Sequence, residues 1–234
     1  MTSAALGNVR AITLDMYGTL LDLETSFAPG FGRFLEAKGS SRDAAEVIQI
    51  WEATYLRESM VDTMLGRGRT QFEVIRRQCL SQVFSSLGVS HTVDDIERLL
   101  TTDAQVSLYP DVQDGLSALR DKYTLSILSN GDLNSLERAV SGLSIPVHQV
   151  ISAEQAGAYK PHSVVYRTAA EHLNFQPNQI LHVAAHPWDI RGAKAFGFLG
   201  VYLNRDNIPY GDGSPSADLE ITTLTELAGR LEGA

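Results

Sequence analysis

From residue 108 to the end of the chain, short apolar runs alternate with helical periodicities, and this alternation restricts the fold more than any other feature of the sequence. Residues 124–128, 147–152, 180–185 and 199–203 read as strands. Residues 112–122, 133–140, 163–173, 190–196 and 224–231 read as helices between and after them. Strands that are apolar throughout, separated by helices, belong to a parallel sheet covered on both faces. Residues 9–14 form one more such run near the start, and right-handed crossovers would set that strand at the centre. The expected fold class is therefore α/β, with a Rossmann-like parallel sheet as its core. Residues 209–216, rich in Pro, Gly and Ser, read as an exposed loop.

Between residue 23 and about Val106 no strand pattern occurs, and apolar residues recur at helical spacing instead. Phe27, Phe31, Phe34 and Leu35 mark a helix over 25–38 that Gly39 ends. Trp51, Tyr55 and Leu56 mark one over 42–60, and Phe72, Ile75, Cys79, Leu80 and Val83 one over 70–87. Thr92 with Asp95 three residues on begins a short helix over 93–102 as a cap pair. Two domains are expected: an α/β core from residues 1–22 and 108–234, and a helical insertion over 23–107.

Composition narrows the function classes. A chain of 234 residues with 44% hydrophobic content can bury a full core, and a net charge of −9 disfavours nucleic acid and anionic membrane as partners. No apolar run approaches the roughly 20 residues of a membrane span, and the first ten residues lack the pattern of a signal peptide. A single cysteine, Cys79, allows no internal disulfide. A soluble cytoplasmic protein is the expectation.

Four polar points each follow an apolar run and would meet at one sheet edge, where open α/β folds hold ligands. Asp15, ahead of a Gly-Thr turn, suits a nucleophile or a metal ligand. Ser129 and Asn130, before Gly131 and a helix, offer a hydroxyl and backbone N–H groups suited to an anion. Lys160 supplies a positive charge that would keep Asp15 ionised. Asp189 adds a second carboxylate, or caps the helix that follows it, and His186 adds a base.

The stretches carrying these residues are DMYGTLLD, LSNG, AYKP and HVAAHPWDIRGAKAFG, and together they resemble the four motifs of the haloacid dehalogenase superfamily. The helical insertion resembles that family's cap domain. Within the superfamily, Tyr17 stands where phosphatases carry a second aspartate, and Ala184-Ala185 stand where they carry metal-binding residues. Asp189 alone gives a divalent cation too few oxygens. No metal and no cofactor are therefore expected, and the chain resembles the L-2-haloacid dehalogenases.

That resemblance implies a metal-independent hydrolase acting on a small anionic carboxylate. Asp15 would attack C2 with inversion and form an ester that water then hydrolyses. Thr19 and Lys160 would orient Asp15. Tyr17, Ser129, Asn130 and Tyr166 would contact the substrate, Trp188 and Phe72 would wall the pocket, and Asp189 and His186 would position or activate water. The family's leaving-group arginine is absent, since Val47 or Glu52 falls at its place. Arg42, Arg57, Arg67 and Arg69 are the alternatives the sequence offers. That departure suggests other substrates for the same mechanism, a strained cyclic amino acid opened by C–N hydrolysis or a small fluorinated acid; a metal-dependent phosphatase and a binding protein that keeps the fold without the activity are the remaining readings. A homodimer is compatible with the resemblance.

Overall fold

The structure is a computed structural model, and it describes residues 6–101, 107–144 and 146–232. The chain divides into two compact units, residues 1–20 with 108–234 and residues 21–107. Expected features at Thr102 and Val106 lie outside the described residues.

The first unit is built on six parallel strands among the described residues. These are β1 (Ala11–Leu14), β2 (Thr124–Ser129), β3 (Gln149–Ser152), β4 (Ile180–Ala184), β5 (Leu199–Leu203) and β6 (Leu219–Ile221), in the order β3-β2-β1-β4-β5-β6. The strand order reverses direction at β1, where β2 pairs on one side and β4 on the other. Loops leaving the carboxyl ends of β1, β2 and β4 therefore converge, as the strand patterns predicted. All residues of β1, β4 and β5 are buried, which explains why these strands are apolar on both faces rather than alternating. Strand β6 was not expected. It has three residues, and only Ile221 is buried, so it leaves little hydrophobic trace.

The second unit holds helices α1 (Leu23–Ala37), α2 (Ala44–Met64), α3 (Phe72–Ser86) and α4 (Val93–Thr101). Asp22 caps α1 by accepting from the Thr25 N–H at 2.9 Å, so the second aspartate of DMYGTLLD is a helix cap. Asp43 caps α2 in the same way. The Thr92–Asp95 pair makes the reciprocal bonds expected of a capping box, 3.0 and 3.2 Å. The core of this unit is aromatic: Phe27, Phe31 and Tyr55 lie around Trp51 with centroids 5.3–5.8 Å apart.

Helices α5 (Val112–Leu119), α6 (Leu133–Val140), α7 (Ala153–Ala156), α8 (Ser163–Leu173), α9 (Pro187–Phe196) and α10 (Leu224–Glu232) complete the first unit. The one-turn α7 was not foreseen. Its short capping box, Ser152 with Gln155, holds the chain in place just ahead of Lys160. No helix among the described residues is long and apolar enough to cross a membrane.

Candidate active site

Asp15 follows the last residue of β1, and its N–H donates to the Val183 carbonyl of β4 at 3.0 Å. The carboxylate is thus fixed by the sheet itself. Its Oδ1 accepts from Lys160 Nζ at 2.8 Å, and its Oδ2 accepts from Thr19 Oγ1 at 2.8 Å. The Thr19 hydroxyl also accepts from the Ala185 N–H at 3.0 Å, tying the turn after β1 to the end of β4. That turn passes Gly18 at φ +74°, where a Cβ would lie 3.0 Å from His186 Cε1. A glycine there answers both the left-handed backbone and the imidazole beside it.

Lys160 is completely buried and uses all three of its protons. It donates to Asp15 Oδ1, to the Leu128 carbonyl at 2.9 Å and to Asp189 Oδ2 at 2.5 Å. Its own N–H donates to Asn130 Oδ1 at 2.8 Å. An ammonium saturated by two carboxylates and a carbonyl has one orientation only. Burial would lower the Lys160 pKa, but Asp15 and Asp189 outweigh it and raise it above 10.5. Burial would push Asp15 up, but the Lys160 charge, followed by His186, holds it well below the usual carboxylate range. Asp189 is held low against its burial by Lys160 and then His182. Both carboxylates therefore stay ionised at neutral pH.

Asp189 sits in the first turn of α9, wholly buried. Its Oδ1 accepts from Tyr166 Oη at 2.7 Å, and the same hydroxyl lies 3.0 Å from the Asp189 carbonyl. Burial, then Asp189, raises the Tyr166 pKa well above 10.0, so it stays a donor. The structure thus places Tyr166 behind Asp189, its one proton directed there. Gly192 permits this approach, because a Cβ on it would lie 2.5 Å from Tyr166 Oη.

His186 Nδ1 lies 3.7 Å from Asp15 Oδ2, and its ring packs on Trp188 at 5.5 Å. Its side chain is 28% exposed, which leaves it reachable by solvent. Ser129 is the last residue of β2 and accepts from the Gly131 N–H at 3.4 Å. Tyr17 packs by its ring edge against the backbone at Gly131, and a Cβ there would lie 2.9 Å from Tyr17 Cε2. Of the residues expected at the site, Phe72 alone belongs to the helical unit, where it is buried edge-on against Tyr55 at 5.4 Å.

Two residues beside Asp15 and Asp189, and one in the helical unit, carry no mark of a role in the sequence. His182 on β4 is completely buried, with Nε2 3.1 Å from Asp189 Oδ1. Arg205 donates to the Thr19 carbonyl at 2.9 Å and to Asp111 at 2.6 Å, bracing the turn that carries Thr19. In the helical unit the arginine that is buried is Arg76, not Arg42, Arg57, Arg67 or Arg69. Its guanidinium lies over Trp51, Phe27 and Tyr55 at 4.8–5.7 Å. The signal for Arg76 was its position four residues after Phe72, within the apolar stripe of α3.

The donor set does not fit a divalent cation. An ammonium already bridges the two carboxylates, and no group of three or more potential ligands is gathered among the described residues.

Comparison with known proteins agrees with this geometry. The haloacid dehalogenase-like hydrolase family profile matches residues 9–197. The (S)-2-haloacid dehalogenase 1 of Pseudomonas sp. (strain CBS-3) is 32% identical over 222 residues, covering 94% of this chain and 95% of that one. A solved dehalogenase with an intermediate complex superposes with a TM-score of 0.84 at 26% identity, over 95% of this chain and 97% of its own. A solved L-2-haloacid dehalogenase at 23% identity shares the fold, with a TM-score of 0.88 over 96% of this chain and 99% of its own. A parallel sheet reversing at β1, an aspartate held there by a buried lysine, and these matches lead to one assignment: the chain belongs to the haloacid dehalogenase-like hydrolases.

Proposed function

We propose that the protein is an (S)-2-haloacid dehalogenase, converting a small 2-halo carboxylate to the 2-hydroxy acid with inversion at C2. The observation that carries this reading is the state of Asp15: ionised, buried, gripped at both oxygens, and with Tyr17 rather than an acid two residues on. Such a carboxylate is a nucleophile without a companion proton donor, which suits displacement of a halide that leaves as an anion. The names of the relatives favour the same substrate class over the cyclic amino acid.

In the first step an Asp15 oxygen forms a bond to C2 as the carbon–halogen bond breaks, and the halide departs with the electron pair. In the second, water attacks the Asp15 carboxyl carbon, the ester bond to that carbon breaks, and the hydroxy acid leaves. One proton is released per turnover. Ser129, the Asn130 amide and backbone N–H groups before α6 bind the substrate carboxylate. Lys160 and Thr19 keep Asp15 aimed. His186, solvent-accessible and beside Asp15, takes the proton of the attacking water. Asp189, whose oxygens already receive Lys160 and Tyr166, acts chiefly as the fixed counter-charge for Lys160.

Trp188, packed on His186, shields that side of the Asp15 site from water. The buried single thiol of Cys79 suits a cytoplasmic setting. The exposed Val61, Met64 and Leu65 at the end of α2 would supply a homodimer contact, which the mass in solution tests. For the reaction, halide release from L-2-chloropropionate is measured with and without Asp15→Asn. Multiple turnover in ¹⁸O water should label the Asp15 carboxylate, and an unlabelled Asp15 would rule out the ester.

A further inference from the structure

We propose that His182 is a positioning residue for this reaction: a buried imidazole that donates Nε2–H to Asp189 and so fixes, through Lys160, the orientation of Asp15. The inference deepens the dehalogenase reading and rests on it for its kinetic arm. It begins with register. β1 and β4 pair with Thr13 opposite His182, which puts the two side chains on the same face of the sheet. Thr13 Oγ1 lies 2.9 Å from His182 Nδ1.

The Thr13 hydroxyl can donate to Nδ1 or accept from it; the arrangement proposed has the imidazole proton on Nε2, facing a carboxylate, and the hydroxyl donating to Nδ1. That nitrogen is fully buried, and among the described residues it meets no acceptor other than Asp189 Oδ1, at 3.1 Å and obliquely. The ring is also held edge-on by Tyr166 at 6.0 Å, so Thr13, Tyr166 and Asp189 leave it little freedom to turn.

Asp189 receives Tyr166 at Oδ1 and Lys160 at Oδ2, and in the proposed arrangement His182 Nε2, 3.1 Å from Oδ1, is a second donor there. The division of labour matters for Lys160, which shares one ammonium between two carboxylates. With its negative charge met at Oδ1 by two fixed donors, Asp189 draws less on Lys160, and the ammonium keeps its 2.8 Å bond to Asp15 Oδ1. Removal of the His182 donor shifts Lys160 toward Asp189 and loosens Asp15. A nucleophile displaced by a fraction of an ångström loses rate while the substrate still binds through other groups.

The test compares His182→Phe, which keeps a ring but removes the donor, with His182→Gln, whose side-chain amide restores a donor at the position of Nε2. Thermal unfolding is followed for both, and kinetics are taken well below the lower midpoint. The expected result with L-2-chloropropionate is a fall in kcat of about 10- to 100-fold for H182F, with KM within about twofold. H182Q should recover to within about threefold of wild type, and single-turnover ester formation on Asp15 should slow in H182F alone. An unchanged kcat in H182F, or equal losses in both variants that track their unfolding midpoints, overturns the proposal. If the wild-type protein releases no halide, it is the dehalogenase reading that fails. The ¹⁵N spectrum of His182 then decides separately: the Nε2–H tautomer supports the assignment, and an Nδ1–H tautomer refutes it.

Discussion

Replacing Lys160 by methionine keeps an unbranched side chain, one heavy atom shorter, and removes one charge from a buried position. In the wild-type protein Asp15, Asp189 and Lys160 sum to −1; in K160M the two carboxylates alone sum to −2, with nothing between them. Breaking a buried ion pair by removing one partner costs about 3–5 kcal/mol, because the remaining charge loses its compensation. For a chain of this size that corresponds to a fall in the unfolding midpoint of about 6–20 °C. The pH dependence gives the sharper test. The two carboxyls are held low in the native wild type, so they stabilise it above the ordinary carboxylate value of 3.8 and cease to do so as pH falls through that range. Lys160 is held high, so its contribution is present below 10.5 and disappears as pH rises past its native value. In K160M the crowded carboxyls relieve each other by binding a proton, so the variant regains stability as the solution is acidified. Differential scanning calorimetry of both proteins should therefore show a larger deficit at pH 8 than at pH 5, and halide release should fall at least 100-fold. A midpoint within 2 °C of wild type at pH 8, or a deficit that grows on acidification, would refute the reasoning.

Three further outcomes follow from particular contacts. Gly192→Ala forces a methyl to within 2.5 Å of Tyr166 Oη and 2.6 Å of Pro161 Cβ, so it should cost about 1–3 kcal/mol of stability and slow turnover; a crystal structure with Tyr166 still on Asp189 would contradict this. Trp51→Ala empties the centre of the aromatic cluster, removes the ring under Arg76 and leaves the Arg76 carbonyl without its 2.9 Å indole donor, so urea unfolding should show a loss of about 3–5 kcal/mol. Cys79 is buried, and its pKa is pushed up to about 11 by burial and then by Glu58, so the native protein should resist a thiol-specific disulfide reagent at pH 8 that reacts at once in guanidinium; fast native labelling would count against that environment.

The sequence exposes those features whose physics is local. β1, β2, β4 and β5 announce themselves because a strand buried on both faces must be apolar along its length. Asp15, Lys160 and Asp189 are visible because each interrupts or follows such a run. Roles that depend on partners distant in the chain are not visible. His182 looks like a flaw in an apolar strand until the β1–β4 register sets Thr13 beside it and α9 brings Asp189 to its other nitrogen. Arg205 reads as a loop cation after β5, and only the folded chain shows its guanidinium on Tyr109 at 4.1 Å while it holds the Thr19 carbonyl. The sequence puts Tyr166 six residues after Lys160 but does not show its direction, toward Asp189, which the absence of a Cβ at Gly192 permits. In α1, Pro29, Gly30 and Gly32 argue locally against a helix, yet packing of Phe27, Phe31 and Phe34 carries it through.

The placement of β1 has a consequence for how the molecule comes into being. The strand that leads into Asp15 is made before the helical unit, but its partners begin at Thr124 and Ile180. The Lys160 contact closes a separation of 145 residues, and the Thr19–Ala185 bond one of 166. As the chain leaves the ribosome, the residues of the helices over 23–101 are all made before β1 has either strand to pair with. Long-range parallel pairing of this kind is slow. The arrangement around Asp15 is therefore completed late: a nascent chain halted before β4 lacks the Val183 carbonyl that holds the Asp15 N–H, the Ala185 N–H that holds Thr19, and Asp189.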